Sequence, residues 1–110
     1  MQKLSLEALV RRHVTRASET DPGRSSETIY GGHEHTLRQT LIALRGATEM
    51  SEHESPGEAT VLVLQGRIRL HAGGASWDGM PGDLLIVPPD RHSVEALEDA
   101  AFLLTVAKTE

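Results

Sequence analysis

Residues 52–70 read EHESPGEATVLVLQGRIRL, and this stretch decides the fold. A Pro-Gly pair at 56–57 is followed by the apolar, partly β-branched run VLVL at 61–64, which leads to Gly66. After Gly66 the sequence RIRL alternates polar and apolar residues. Apolar runs bounded by glycine and proline are typical of β-strands with tight connections. The stretch therefore predicts two strands joined by a tight hairpin, with Gly66 at or near positive φ.

Strand signals of the same kind continue along the chain from Thr28. Glycine- and proline-containing turns separate nine predicted strands, at about 28–31, 35–45, 48–54, 59–65, 67–72, 75–79, 83–88, 91–97 and 101–107. Many short strands at this spacing indicate an all-β sandwich or barrel. Several of them are apolar on both faces, so we expect the outer face to be covered by the edge of the second sheet, by the helix or by a second copy of the chain in a homodimer.

One helix is predicted ahead of the strands. Ser5 is the expected N-cap, and apolar residues recur at helical spacing over residues 6–17. Segment 19–27 (ETDPGRSSE) has the composition of a connecting loop. We therefore expect residues 1–27 to form a helix and a connecting loop, with the helix packed across the outside of the β domain or against a partner subunit. Residues 28–110 are expected to form a single β domain.

Composition limits the classes of function. A chain of 110 residues fits one domain, and its aromatic content of 3% means that aliphatic side chains must fill the core. A formal net charge of −5 argues against nucleic acid as a partner. The chain has no cysteine, which excludes disulfides and thiolate chemistry. No apolar run approaches the roughly 18 residues of a membrane span, so we expect no membrane partner and a cytoplasmic location.

The stretch 52–70 and a second one, GDLLIVPPDRHSV at 82–94, together resemble the two sequence motifs of the cupin superfamily. The resemblance extends over about residues 35–107. It implies a cupin-type double-stranded β-helix, which is a jelly-roll barrel, following one N-terminal α-helix. It also implies that a divalent transition metal (Fe, Mn, Ni or Zn) is a candidate cofactor inside the barrel.

The first cupin motif, G-x5-H-x-H-x3-4-E-x6-G, supplies metal ligands at its two histidines and its glutamate. With its closing glycine on Gly66, the first histidine position falls on His53, the second on Ser55 and the glutamate on Ala59. In the second motif the last ligand matches His92, which stands one residue early. The resemblance therefore implies that His53 and His92 are metal ligands, in a motif that has lost its carboxylate.

Further candidates lie close to these positions. Residues 33–39 (HEHTLRQ) match the first motif in a competing register, and His35 and Gln39 share strand parity with Leu41. They are second-tier metal ligands, expected to point into the same interior as His53. Gln39, Ser55 and Glu58 are the expected lining of a ligand pocket. The other histidines, His13 and His71 among them, are expected at the surface or in packing.

Three classes of function stay open. The first is a small cupin that binds a small molecule in the barrel interior, with or without a divalent metal. The second is a metal-dependent enzyme of oxygenase or isomerase type, and the third is a non-catalytic dimeric scaffold. The sequence identifies no catalytic residue and leaves open whether the protein is an enzyme. The first class is favoured, because the motif has lost the carboxylate that enzymes of the family commonly use. Fold-level resemblance alone does not decide a reaction.

Overall fold

The structure is a computed structural model that describes residues 2–53 and 57–108, without the side chains of residues 52 and 53. The described part contains one helix and nine strands: α1 (Leu6–Glu19), β1 (Arg24–Gly31), β2 (Leu37–Leu44), β3 (Glu49–His53), β4 (Gly57–Gln65), β5 (Ile68–Ala72), β6 (Ala75–Gly79), β7 (Leu84–Val87), β8 (His92–Ala96) and β9 (Ala100–Lys108). Each predicted strand is confirmed. The first begins at Arg24, inside the segment expected to be a loop. No helix in these described ranges is long and apolar enough to cross a membrane.

The strands form two antiparallel sheets. One has five strands in the order β1-β2-β9-β4-β7, and the other has four in the order β3-β8-β5-β6. Consecutive strands β4 and β5 lie in different sheets, so the predicted hairpin at Gly66 is wrong. Gly66 does have positive φ, at 72°, as predicted. It turns the chain from one sheet into the other. The mostly-β class is confirmed, and closure of the two sheets into a barrel stays a prediction.

The two sheets face each other across one aliphatic core. Side chains alternate between the faces of a strand, and β9 directs Phe102 and Val106 into this core. From the second sheet, Ile68, Leu70 and Val94 pack against them. We call the core side of each sheet the inner face and the opposite side the outer face. Phe102 is the only aromatic residue of the buried core in the described part, in agreement with the aliphatic core expected from composition.

Helix α1 covers part of the outer face of the five-stranded sheet. Ser5 caps it as predicted, because its Oγ accepts a hydrogen bond from the backbone N of Ala8 at 3.2 Å. The helix packs Val10 and Ala17 against small and aliphatic side chains of β2 and β9, which are Leu41, Ala43 and Ala101. The outer faces of β2 and β9 are therefore buried by the chain's own helix.

A polar contact also fastens α1 to β1. His13 is 1% exposed, and its Nε2–H donates to Glu27 Oε1 at 2.8 Å. A carboxylate only accepts, so in the neutral ring Nδ1 accepts from the Ser25 hydroxyl at 2.6 Å. Glu27 also pairs with Arg12 of the helix at 2.6 Å. The hydrogen bond from His13, together with Arg12, holds the pKa of Glu27 below its usual range.

Replacing Gly66 tests the crossing between the sheets. A Cβ there would lie 2.2 Å from the carbonyl oxygen of Asp99, in addition to the strain of positive φ. We expect Gly66→Ala to lower the free energy of unfolding by roughly 2–5 kcal/mol, from backbone strain and overpacking together. Gly74→Ala is the matched control, because Gly74 has φ of +80° but no atom within 4 Å of the added Cβ. It should cost roughly 1 kcal/mol. Equal losses in urea unfolding would contradict the close approach at Asp99.

Acid should weaken the contact between α1 and β1. A carboxyl whose pKa is lowered in the folded state contributes stability above its unfolded pKa, and that contribution is lost as the pH falls through the folded pKa. We expect Glu27→Gln to be less stable than wild type at pH 6, and the difference to shrink below roughly pH 4, near the usual glutamate value. Thermal unfolding from pH 6 to pH 3 measures this. Glu7→Gln, which removes an exposed pair with Arg11, is the control; a Glu27 difference that does not change with pH would contradict the linkage.

Candidate functional site

The topology brings one row of inner-face residues from each sheet to the same end of the core. In the five-stranded sheet the row runs Arg38, Val106, Ala59 and Val87 across β2, β9, β4 and β7. In the four-stranded sheet it runs His92, Ala72 and Ala75 across β8, β5 and β6, and the backbone of His53 on β3 is paired with His92. Residues 88–91 link Val87 directly to His92, so the two rows lie at one end. We call it the His92 end.

His92 is the buried polar group of this end. It is 4% exposed and lies on the same face of β8 as the core residues Val94 and Ala96, which is the inner face. Its Nδ1 lies 3.2 Å from the carbonyl oxygen of Asp90. Because a carbonyl only accepts, Nδ1 carries the proton and donates it to this oxygen. This is the tautomer that metal-binding histidines usually adopt when a backbone carbonyl orients them.

The backbone of His53 is paired directly with His92. The pairing of β3 with β8 shifts between Met50 and His53, which indicates a bulge. Met50 lies opposite Val94 and His53 lies opposite His92, although three residue steps on β3 then match two on β8. Because of the bulge, Met50 and His53, three residues apart, lie opposite Val94 and His92, two inner-face residues that are two residues apart. The two histidines that the cupin resemblance selected therefore occupy neighbouring register positions.

The interior at the His92 end combines polar and small apolar side chains. Three alanines lie on its inner rows, Ala59 on β4, Ala72 on β5 and Ala75 on β6. Ala59 and Ala72 are buried. Apolar walls therefore lie beside the buried imidazole of His92.

The placement expected for Gln39 and His35 is wrong. Gln39 shares one face of β2 with Leu41 and Ala43, which pack against α1. It therefore lies on the outer face. There its Nε2 donates to Thr105 Oγ1 at 3.2 Å. His35 precedes β2, is exposed, and contacts the ring of Tyr30 with centroids 5.7 Å apart. The prediction applied strand alternation to His35, which lies before β2 begins at Leu37. It also took the odd-numbered face of β2 as the inner one, whereas the even-numbered residues Ile42 and Leu44 face the core.

The two remaining pocket candidates have different outcomes. Glu58 is exposed on β4 and alternates with the inner-face residues Gly57 and Ala59, so it lies on the outer face rather than in a pocket. Ser55 lies outside the described residues, as do its two neighbours. Its role as a pocket residue stays a prediction.

The donor set of the described residues does not make a complete metal site. Within the described ranges no three His, Cys, Asp or Glu side chains come together in a way that could hold an ion. The tautomer of His92 fits a metal ligand, and Ala59 on the inner row supplies no carboxylate where the cupin motif has one. We therefore derive no chemical step through a metal.

Sequence reasoning overlooked two cations at the His92 end. Arg38 lies on the inner row of β2, and Lys108 on β9 donates from Nζ to the carbonyl oxygens of Gly32 and His33. Both side chains are partly buried. The sequence carried no signal for Arg38, because residues 41–44 (LIAL) are apolar on both faces of β2.

Charge pairs cover the outer face of the four-stranded sheet. Arg69 pairs with Asp78 at 2.7 Å, and this contact holds the pKa of Asp78 below its usual range. His71 lies opposite Glu95 with Nε2 and Oε1 2.8 Å apart. These groups are solvated and lie on the face away from His92, so they are a polar surface rather than part of the site.

The fold and the motif positions match a known family. The sequence pattern of the cupin domain matches residues 40–107. This chain belongs to the cupin family. Two bacterial structures resemble it over most of both chains. A conserved protein of unknown function from Streptococcus pyogenes has a TM-score of 0.72, with 27% identity over 79% of this chain and 75% of that chain. A cupin superfamily protein from Desulfitobacterium hafniense has a TM-score of 0.72 at 21% identity, covering 78% of each chain.

An enzyme is also among the similar structures. A variant of salicylate 1,2-dioxygenase from Pseudoaminobacter salicylatoxidans, in complex with gentisate, matches with a TM-score of 0.78 at 20% identity. The match covers 94% of this cupin but 33% of the enzyme, so the chain spans about a third of that protein. At this identity the likeness shows the fold. No curated protein matches the chain.

Proposed function

We propose that this cupin binds a small molecule at the His92 end of its interior. The observation that carries the proposal is the register that sets His53 opposite His92, beside the alanines of the inner rows. A buried imidazole with an oriented ring offers a directional polar contact, and ligand sites combine a few such groups with apolar walls. A similar fold that holds gentisate in the dioxygenase complex supports the same kind of occupant.

A divalent transition metal held by His53 and His92 is the more specific form of the proposal. The tautomer of His92 supports it, while the described carboxylates do not. Protein ligands beyond these two would have to come from Ser55 and its neighbours, outside the described residues, or from water or the small molecule itself. The metal binds neutral imidazoles, so its affinity should fall as the pH drops through roughly 6.5.

Two other functions follow from the same fold. A metal-dependent oxygenase or isomerase would need the metal and a substrate at the His92 end, and the similarity to the dioxygenase is the observation in its favour. A dimeric scaffold would need no ligand there. Binding without an identified reaction is favoured, because a site lacking the motif's carboxylate has fewer groups for catalysis.

Thermal unfolding of metal-free protein with added Mn, Fe, Ni or Zn at pH 7.5 tests the metal form. We expect one ion to stabilise the wild type, by about 2.7 kcal/mol at a hundredfold excess over its Kd. His53→Ala and His92→Ala should lose that gain. His33→Ala, which removes an exposed loop histidine, should retain it.

The pattern across these variants separates the possibilities. A gain lost in both site variants and kept in His33→Ala supports a metal at the His92 end. A gain of equal size in all four proteins would place the ion elsewhere and contradict the assignment. Elemental analysis of protein purified without a metal-affinity tag then identifies the ion.

We also propose a homodimer. Leu84 and Ile86 on β7 are 57% and 70% exposed on the outer face of the five-stranded sheet, beyond the part that α1 covers. A second copy would bury them, and obligate homodimer interfaces are hydrophobic and bury on the order of 2,000 Å² or more. Sedimentation at micromolar concentration should give twice the chain mass. Ile86→Lys should shift it to the monomer, while Arg67→Glu, in the connection before β5, should not; a monomeric wild type would overturn the proposal.

A further inference from the structure

Arg38 is a charged residue on the inner face of a sheet. The register of β2 with β9 is unbroken and pairs Arg38 with Val106, a core residue that is 2% exposed. Directly opposed residues of an antiparallel pair share a face, so Arg38 lies on the core side. It is on the same face of β2 as the core residues Ile42 and Leu44, and it is partly buried. Arg38 thus lies on the inner face at the His92 end, not on the outer face of the sheet.

The side chain of Arg38 has no hydrogen-bond or ion-pair partner among the residues that the structure describes. Its neighbour on the same face, Lys108, is already bound to the carbonyl oxygens of Gly32 and His33. Partly burying a cation without a partner costs free energy, which an incoming anion would offset. The described part of the His92 end therefore carries one uncommitted positive charge.

The chemistry of that charge selects a class of anion. A guanidinium presents paired N–H donors in a planar fork, which matches the two oxygens of a carboxylate. One uncommitted cation balances a monoanion, whereas a phosphate dianion calls for more positive charge. The chain as a whole carries a net charge of −5, so anions are otherwise repelled from it. Arg38, an inward cation whose side chain has no partner among the described residues, is a local exception to this field.

We infer that Arg38 makes the His92 end a site for a small molecule that bears one carboxylate. This inference rests on the function proposed above and adds the class of ligand. Facing sheets lie about 10 Å apart, so a small acid whose carboxylate is held by Arg38 can span the interior toward the second sheet. Between them the inner rows present Ala59 and Ala72, which leave room for its carbon skeleton.

Binding of matched acid and amide probes tests the inference. Benzoate with benzamide, and propionate with propionamide, are titrated at pH 7 while the backbone amide signals of residues 59, 72 and 92 are followed by NMR. We expect the acids to shift these signals and the amides to bind more weakly. Arg38→Gln should weaken acid binding about tenfold or more, the range of a charge-assisted hydrogen bond. Arg38→Lys, which keeps the charge but not the fork, should be intermediate.

Control variants separate this inference from the proposed function. Arg24→Gln removes an exposed arginine at the opposite end of the neighbouring strand and should bind the acids like wild type. Arg38→Met should melt at or above the wild-type temperature without ligand, because it removes an unpaired, partly buried charge; a lower melting temperature would show a structural role instead and overturn the inference. Amides that bind as well as acids, with no effect of Arg38→Gln, overturn the carboxylate while the small-molecule site stands. No shift with any probe counts against both.

Discussion

Strand β9 is hydrogen-bonded along its length to β2 on one side and β4 on the other, and its register decides which side chains share the interior. A slip by one residue would exchange its two faces. Phe102 would then lie at the position of Ala101, beneath α1. Only a small side chain at that position lets the helix approach the sheet. Large residues on the inner face and small ones under the helix thus fix a single register. The same register holds Arg38 opposite Val106.

The sequence predicted the strands better than their faces. Each predicted strand is present because the glycine- and proline-containing turns between them limit where pairing can continue. The choice of inner face could not be read from β2, where Leu41-Ile42-Ala43-Leu44 is apolar on both sides. Gln39 was consequently placed on the wrong side. His92 lies on the inner face of β8, and the short link after Pro88 leaves little freedom in where that strand starts.

Two polar groups show what a pattern of apolar residues conceals. Arg38 occupies an inner position that sequence reasoning assigns to solvent by default, and only the pairing with a core residue reveals it. His13 looks like one more member of an apolar helix stripe, yet Ser25 and Glu27 on β1 satisfy both of its ring nitrogens. In each case the decisive neighbour comes from another strand or helix, which spacing along the chain does not encode.

The position of the His92 end relative to the connections between strands has an evolutionary consequence. The connections at 32–36, 73–74 and 88–91 border the His92 end, whereas Leu44, Ile68 and Phe102 close the interior at the far end. Substitutions or insertions in those connections can reshape what the interior accepts without disturbing the residues that hold the sheets together. New specificities can therefore be sampled on this scaffold at little cost in foldability.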